Sequence, residues 1–257
     1  MGIQPRLIDA HSHFDDASFD GDRQQALQRA HEAGVYQQII PAIKADWWPR
    51  IKQLCQQTAG LYPSYGLHPM YLSDHLEEHL MTLREWAERE RPVAIGECGL
   101  DFYIDDPQPE LQQYYFEQQL TIARDYELPV IIHARRSVEE VINTLRHYPS
   151  LRGMLHSYSG SEQQALQLIK MGFYLSFGGP ITYHRANRLH RLIKTLPLEA
   201  ILLETDSPDQ PNSNRRGQRN EPAYLPEVLH RICQLRNLQP SQVAEQTASN
   251  TRQLFHI

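Results

Sequence analysis

Short apolar runs alternate with longer amphipathic stretches from one end of this chain to the other. The runs predict strands over Arg6–Phe14, Gln37–Ala42, Ser64–His68, Val93–Leu100, Pro129–Ala134, Gly153–Ser157, Tyr174–Phe177 and Ala200–Thr205. Apolar residues at helical spacing fill the intervals, at Asp22–Glu32, Trp48–Thr58, Glu77–Arg89, Glu110–Tyr126, Val138–His147, Glu162–Met171 and Ala186–Leu196. Two more helical stretches, Leu225–Arg236 and Ser241–Phe255, follow the last run. Strands separated by helices of this length need crossover connections, which pair them in parallel. Eight such units predict an α/β chain folded as one (β/α)8 TIM barrel over residues 1–257. The rival, a doubly wound open sheet, usually carries a glycine-rich phosphate loop after its first strand. Here the first strand ends in histidines.

Composition narrows the partners. With a formal net charge of -6, the chain is not expected to coat nucleic acid through a broad basic surface. A nucleic-acid substrate met at one local site remains compatible with that charge. Three cysteines at spacings that match no zinc or redox pattern predict free thiols in a reducing compartment. Residues 1–6 lead straight into an apolar strand, so neither a secretory leader nor a membrane span is expected, and the location predicted is cytoplasmic. No surplus apolar helix face is evident, which predicts a monomer. The stretch Ser207–Glu221, rich in Pro and Asn, follows the eighth strand and reads as a long active-site loop.

In a barrel of this kind, chemistry sits at the C-terminal ends of the strands, and six residues there have side chains suited to metal ions. His11 and His13 are two apart, so a strand aims both imidazoles to one side; alone, one could equally be a surface histidine and the other a core one. Glu97 stands between two glycines after an apolar run, where a carboxylate is costly unless paired or ligating. Its two oxygens could bridge two cations, or it could form an ion pair with an arginine. His133 and His156 each end an apolar run, and either alone could be a core histidine bonded to a carbonyl. Asp206 could bind a metal and take a proton from water, or cap a turn. The six converging on one mouth is the reading that explains all of them.

The segments Asp9–Phe14, Gly66–Pro69, Gly96–Asp101, Pro129–Arg135, His156–Gly160, Leu203–Pro208, Arg219–Pro222 and Asn250–Phe255 resemble, in order, those of the TatD family of metal-dependent deoxyribonucleases, within the amidohydrolase superfamily. The likeness runs over nearly the whole chain. It implies that His11, His13, Glu97 and Asp206 hold one divalent ion, and that Glu97, His133 and His156 hold a second, with Glu97 as bridge. It also implies that His68, Glu204 and Arg135 touch substrate or support the site. The segment 207–218 is longer and more polar than the family pattern, which bears on the preferred substrate rather than on the chemistry.

Ligand softness favours zinc, manganese or iron for four imidazoles and two carboxylates, whereas the family's nuclease activity goes with magnesium or manganese. The native ion stays open among Mg, Mn and Zn. Asp206 is expected to orient the attacking water. Glu204, two residues earlier, either orients a ligand histidine or water, or pairs with a basic side chain. Arg135 is expected to grip a phosphate and Arg136 to form a surface ion pair. Tyr158 and Tyr183 either stack a base or pack at the rim. His31, His75, His79, His147, His190 and His230 read as solvated surface residues, and Trp47 and Trp48 as packing between helix and barrel. The leading function is a metal-dependent 3′-exonuclease acting on single-stranded or frayed DNA. The alternatives are a two-metal hydrolase of another ester or amide, such as aminoacyl-tRNA, and an inactive metal-binding scaffold.

Overall fold

The computed structural model describes residues 6–257, so the expected absence of a leader at residues 1–5 lies outside the described part. Eight parallel strands follow one another around a single sheet in the order of the chain. They are β1 (Leu7–Asp9), β2 (Val35–Pro41), β3 (Leu61–Tyr65), β4 (Ala94–Asp101), β5 (Val130–Arg135), β6 (Gly153–Leu155), β7 (Phe173–Phe177) and β8 (Ile201–Leu203). The helices between them are α1 (Arg23–Glu32), α2 (Trp48–Gln57), α3 (Glu77–Glu90), α4 (Pro109–Asp125), α5 (Val138–Leu145), α6 (Glu162–Lys170) and α7 (Asn187–Thr195). After β8 come α8 (Leu225–Arg236) and α9 (Pro240–Phe255). All nine lie within two residues of their sequence-based bounds. Proline in the first turn fixes the start of α2, α4, α8 and α9, where its missing N–H costs nothing.

Among the strands, β3 lies three residues earlier at either end than the run Ser64–His68 that predicted it, and others are cut short. β1 and β8 are three residues each, shorter than the runs that predicted them. Beyond their ends, side chains take over the backbone donors. The Asp9 carboxylate accepts the N–H of Thr205 at 2.9 Å and that of His11 at 3.3 Å. The circle closes there, with Ala10 N–H donating to Leu203 O at 2.8 Å and Asp206 N–H to His11 O at 2.9 Å. The seam of the barrel is thus made by the segments that carry the candidate ligands.

The interior and the outer layer form separate apolar clusters. Inside lie Ala10, Ile39, Ala94, Ile131, Met154 and Leu202, and from below Leu254 and Phe255 of α9 join them. The terminal segment 250–255 therefore plugs the N-terminal end of the barrel. Asn250 fixes α9 in place by donating to Leu198 O and Ile201 O, each at 2.8 Å. The larger cluster, including Trp48, Phe116 and Phe177, fills the space between sheet and helices. Trp48 also donates its indole N–H to Gly66 O at 3.2 Å. Gly66 must be glycine, since a Cβ there would stand 2.6 Å from Gly96 Cα. That close approach brings β3 and β4 together beside Glu97.

The loop after β8 is tied to α1 by a ring of charges. Arg219 reaches both carboxylate oxygens of Asp22 at 2.7 and 2.9 Å and Glu221 at 2.7 Å. Arg29 reaches Glu221 at 2.8 and 2.9 Å and Asp22 at 2.8 Å. Burial opposes the charge on Glu221, but Arg29 and Arg219 outweigh it and hold the carboxyl below its ordinary value. A group depressed on folding adds stability above its unfolded pKa and loses it as pH falls through the folded value. Glu221→Gln is therefore expected to cost about 1–2 kcal/mol at neutral pH. In urea titrations the gap between variant and parent should close as the pH drops below the ordinary glutamate value of 4.5; a gap independent of pH would remove this account.

Candidate metal centre

Seven of the expected residues meet at the C-terminal mouth. Within the strands themselves lie only Glu97 and His133; His11, His13, His68, His156 and Asp206 stand one to several residues past the ladders. Glu97 owes its aim to an irregularity in β4. Ile95 pairs with Val130 and Cys98 with Ile132, so β4 carries one residue more than β5 over that interval. Such a bulge re-aims a side chain, here into the barrel mouth.

Glu97 is 1% exposed and its two oxygens face two different groups. Oε2 lies 3.2 Å from His11 Nε2 and 3.4 Å from His13 Nε2. Those nitrogens are 3.3 Å apart, and Asp206 Oδ1 lies 3.4 Å from the first and 3.6 Å from the second. Ligands about 2.0–2.2 Å from a tetrahedral ion are about 3.3–3.6 Å from one another, so the four atoms suit one cation. Oε1 lies 2.8 Å from His156 Nε2 and 3.2 Å from His133 Nδ1, and those two nitrogens are 3.0 Å apart. Glu97 Oε2 is buried with no hydrogen-bond donor aligned to it. An unpaired buried carboxylate oxygen among imidazole lone pairs is costly without a positive charge between them. The donor set fits divalent ions.

Hydrogen bonds around the cluster decide which ring nitrogen is free. His133 Nε2 lies 2.9 Å from Asp101 Oδ2, which makes it the donor and turns the Nδ1 lone pair toward Glu97. His68 is the reverse case. Its Nδ1 accepts the Met70 N–H at 3.1 Å, so the neutral ring carries its proton on Nε2, 2.9 Å from Glu97 Oε1. Burial pushes His68 down to about 4, keeping it neutral. Although its nitrogen is spaced like a ligand, His68 is a hydrogen-bond donor to the site.

Charges inside the cluster balance one another. Burial works against charge on Glu97, yet His156, His68 and His11 outweigh it and hold the carboxyl well below the usual range. Burial pushes Asp206 up, against the opposite pull of His156 and His13. Its Oδ2 accepts from Gln210, whose own carbonyl accepts the Ser157 hydroxyl at 2.8 Å. Glu204 is fully buried and pushed up to about 8 by burial. It has no basic partner among the described residues; it accepts Ser157 N–H at 2.6 Å and the Ser176 hydroxyl. It therefore fixes the turn that follows His156.

Above the cluster opens a cavity of about 610 Å³. Ile43, Trp47 and Tyr71 form one wall, Phe177, Ile181 and Leu189 the other, and Arg135 stands at its edge. Several expectations are corrected here. Trp47 packs against the core as expected but also lines the cavity, whereas Trp48 is buried behind the barrel. Tyr158 is 3% exposed, with its hydroxyl donating to Ser161 O at 2.6 Å, so it builds the wall and has no free face for stacking. Tyr183 donates to Pro211 O at 3.1 Å. Arg136 forms no ion pair among the described residues but lies over the Tyr103 ring. His75 and His190 are buried, bonded to His68 O at 2.9 Å and Ile181 O at 2.8 Å, and so support the rim. Asp101 and Gln210 lie beyond the site residues expected from the sequence: Asp101 is the last residue of β4, four beyond Glu97, while Gln210 gives no local signal.

The family model for TatD related DNase matches residues 8–256. YjjV of Escherichia coli K12, named an uncharacterized metal-dependent hydrolase, is 41% identical over 98% of both chains. Its crystal structure, described as a TatD homolog, superposes with a TM-score of 0.95 at 39% identity, over 99% of this chain and 100% of that one. A protein of Erwinia tasmaniensis named 3′-5′ ssDNA/RNA exonuclease TatD is 33% identical over 98% of this chain and 100% of its own. With a match that begins in β1 and runs through the α9 plug, the chain belongs to the TatD family of metal-dependent hydrolases.

Proposed function

We propose that this hydrolase cleaves phosphodiester bonds of DNA, removing nucleotides from the 3′ end of single-stranded or frayed strands. His11, His13, Glu97 and Asp206 would hold one divalent ion, and Glu97, His133 and His156 the other, drawn from Mg, Mn or Zn. The observation that carries the reading is Glu97, whose two oxygens face two sets of ligand atoms at the floor of the cavity. The name of the Erwinia relative supports a nucleic-acid substrate. A pit with apolar walls suits a chain end and its base better than the middle of a strand.

Divalent ions in these two groups would offset charge on the phosphoryl oxygens and acidify the attacking water. Asp206 orients that water and takes its proton, its carboxylate held from one side by Gln210. His68, neutral with its proton on Nε2, donates to Glu97 Oε1 and so holds that carboxylate in place. Arg135 meets the phosphate from the edge of the cavity. Glu204 and Asp101 are positioning residues, acting through the turn after His156 and through the ring of His133.

A panel of labelled single-stranded DNA, single-stranded RNA and mischarged tRNA, with Mg, Mn or Zn added, separates this reading from ester hydrolysis. Progressive shortening from the 3′ end supports it, and deacylation of the tRNA without shortening of DNA refutes it. Asp206→Asn should fold normally by circular dichroism and lose about 10²–10⁴-fold in kcat. Near-full turnover in the metal-loaded variant would exclude the role given to Asp206. Asp101→Asn, which cannot fix the His133 tautomer in the same way, should weaken uptake of one of two Mn ions about 10–100-fold in calorimetric titration. Two equally tight ions in that variant would contradict the pairing.

A further inference from the structure

At the rim between β4 and β5 two arginines share one tyrosine. The Arg135 guanidinium carbon lies 4.0 Å from the Tyr103 ring centroid and that of Arg136 lies 4.1 Å from it. Two guanidinium groups side by side on one face would overlap, so they take opposite faces. Neither is within ion-pair distance of a carboxylate among the described residues, unlike Arg29, Arg215 and Arg219. The aromatic faces offset only part of the repulsion between two such charges. Tyr103, 49% exposed, leaves the assembly open to solvent.

The stack is built on rigid parts. Asp101 pairs with Arg135 across the β4–β5 ladder, and Phe102 N–H donates to Arg135 O at 2.9 Å. Asp101 Oδ1 accepts the Tyr103 N–H at 2.8 Å, while its other oxygen faces His133. Arg136 is held in the left-handed region, at a φ of 56°, a conformation that side chains other than glycine rarely adopt and that tends to persist at binding sites. Arg135 lines the cavity, whereas Tyr103 and Arg136 stand outside it. The stack therefore leads from the pit outward.

We infer that Arg135, Tyr103 and Arg136 form a backbone-binding subsite for single-stranded nucleic acid, gripping the phosphates that lie 5′ of the nucleotide seated in the cavity. This rests on the nuclease reading above. The planar forks match phosphate oxygens in a bidentate way. A second fork beyond the pit has use only for a ligand that continues past it with another anion. The apolar walls of the pit favour a strand bearing bases over a simple polyanion. The subsite makes a strand bind more tightly than a small diester that fills the cavity alone.

The test is binding of a fluorescent phosphorothioate oligothymidylate of about a dozen nucleotides to the Mn-loaded protein over a range of KCl concentrations, with hydrolysis of bis(4-nitrophenyl) phosphate measured in parallel. Each phosphate contact to a single strand adds about 0.7 to the slope of log affinity against log salt. Arg136→Gln should lower that slope by about 0.7 and the affinity about tenfold, with a larger loss for the strand than for the small diester. Arg136→Lys, which keeps the charge, should retain the slope. A parental slope in Arg136→Gln overturns the subsite, as does equal binding of a polyglutamate peptide. If the parent protein hydrolyses neither the small diester nor an unmodified strand of the same sequence, the nuclease reading itself fails; hydrolysis of the diester with an unaltered slope in the variant removes the subsite alone.

Discussion

One buried carboxylate organises the mouth of this barrel. Glu97 is almost wholly out of water, and its carboxylate oxygens lie against the imidazole nitrogens of His11, His13, His68, His133 and His156. A charge in that position is tolerable only where positive charge or donors surround it. The architecture supplies them from several strands at once, which no local motif could do. His11 and His13 come from the seam, His68 from the segment after β3, His133 from β5 and His156 from just past β6. The fold and the chemistry are thus coupled at one residue.

Around that centre the barrel is held in two different ways. Below, apolar side chains in layers and the α9 plug provide a dry interior. Above, where regular ladders have ended, side chains replace strand partners. Asp9, Glu204, Asp101 and Gln210 each accept or donate to more than one group, and each lies directly behind a residue of the cluster. Their burial raises the carboxyls of Asp9 to about 7 and Glu204 to about 8. Desolvation is opposed at Asp9 by the Thr205 hydroxyl and backbone donors, and at Glu204 first by nearby His156 and then by Ser176 and Ser157.

The helices and the cluster of ligands were legible in the sequence because they rest on local rules. Helical spacing with proline at the first turn gives α2, α4, α8 and α9 to within a residue. The same strand rule predicted His11 and His13 on one side, and their Nε2 atoms meet at 3.3 Å. What was not legible depends on distant partners. The shortness of β1 and β8 comes from Asp9 taking donors nearly two hundred residues away. The two imidazoles His75 and His190 looked like surface residues because nothing local announces the carbonyls that receive them. Arg136 lacked its expected ion pair because a left-handed turn, invisible in composition, lays it on Tyr103. The polar composition of the stretch after β8 predicts a loop at the mouth, but its anchoring to α1 through Arg219 and Glu221 depends on partners far away in the chain.

The plug at the barrel's lower end has a consequence for the order in which the molecule can be completed. Leu254 and Phe255 enter the interior formed by residues from β2 through β8, and translation delivers the N-terminal parts first. While α8 and α9 are still being made, the eight strands exist but Met154, Ile131 and Leu202 have no cover from below. A nascent chain at that stage exposes this apolar surface to water until the final turn of α9 covers it.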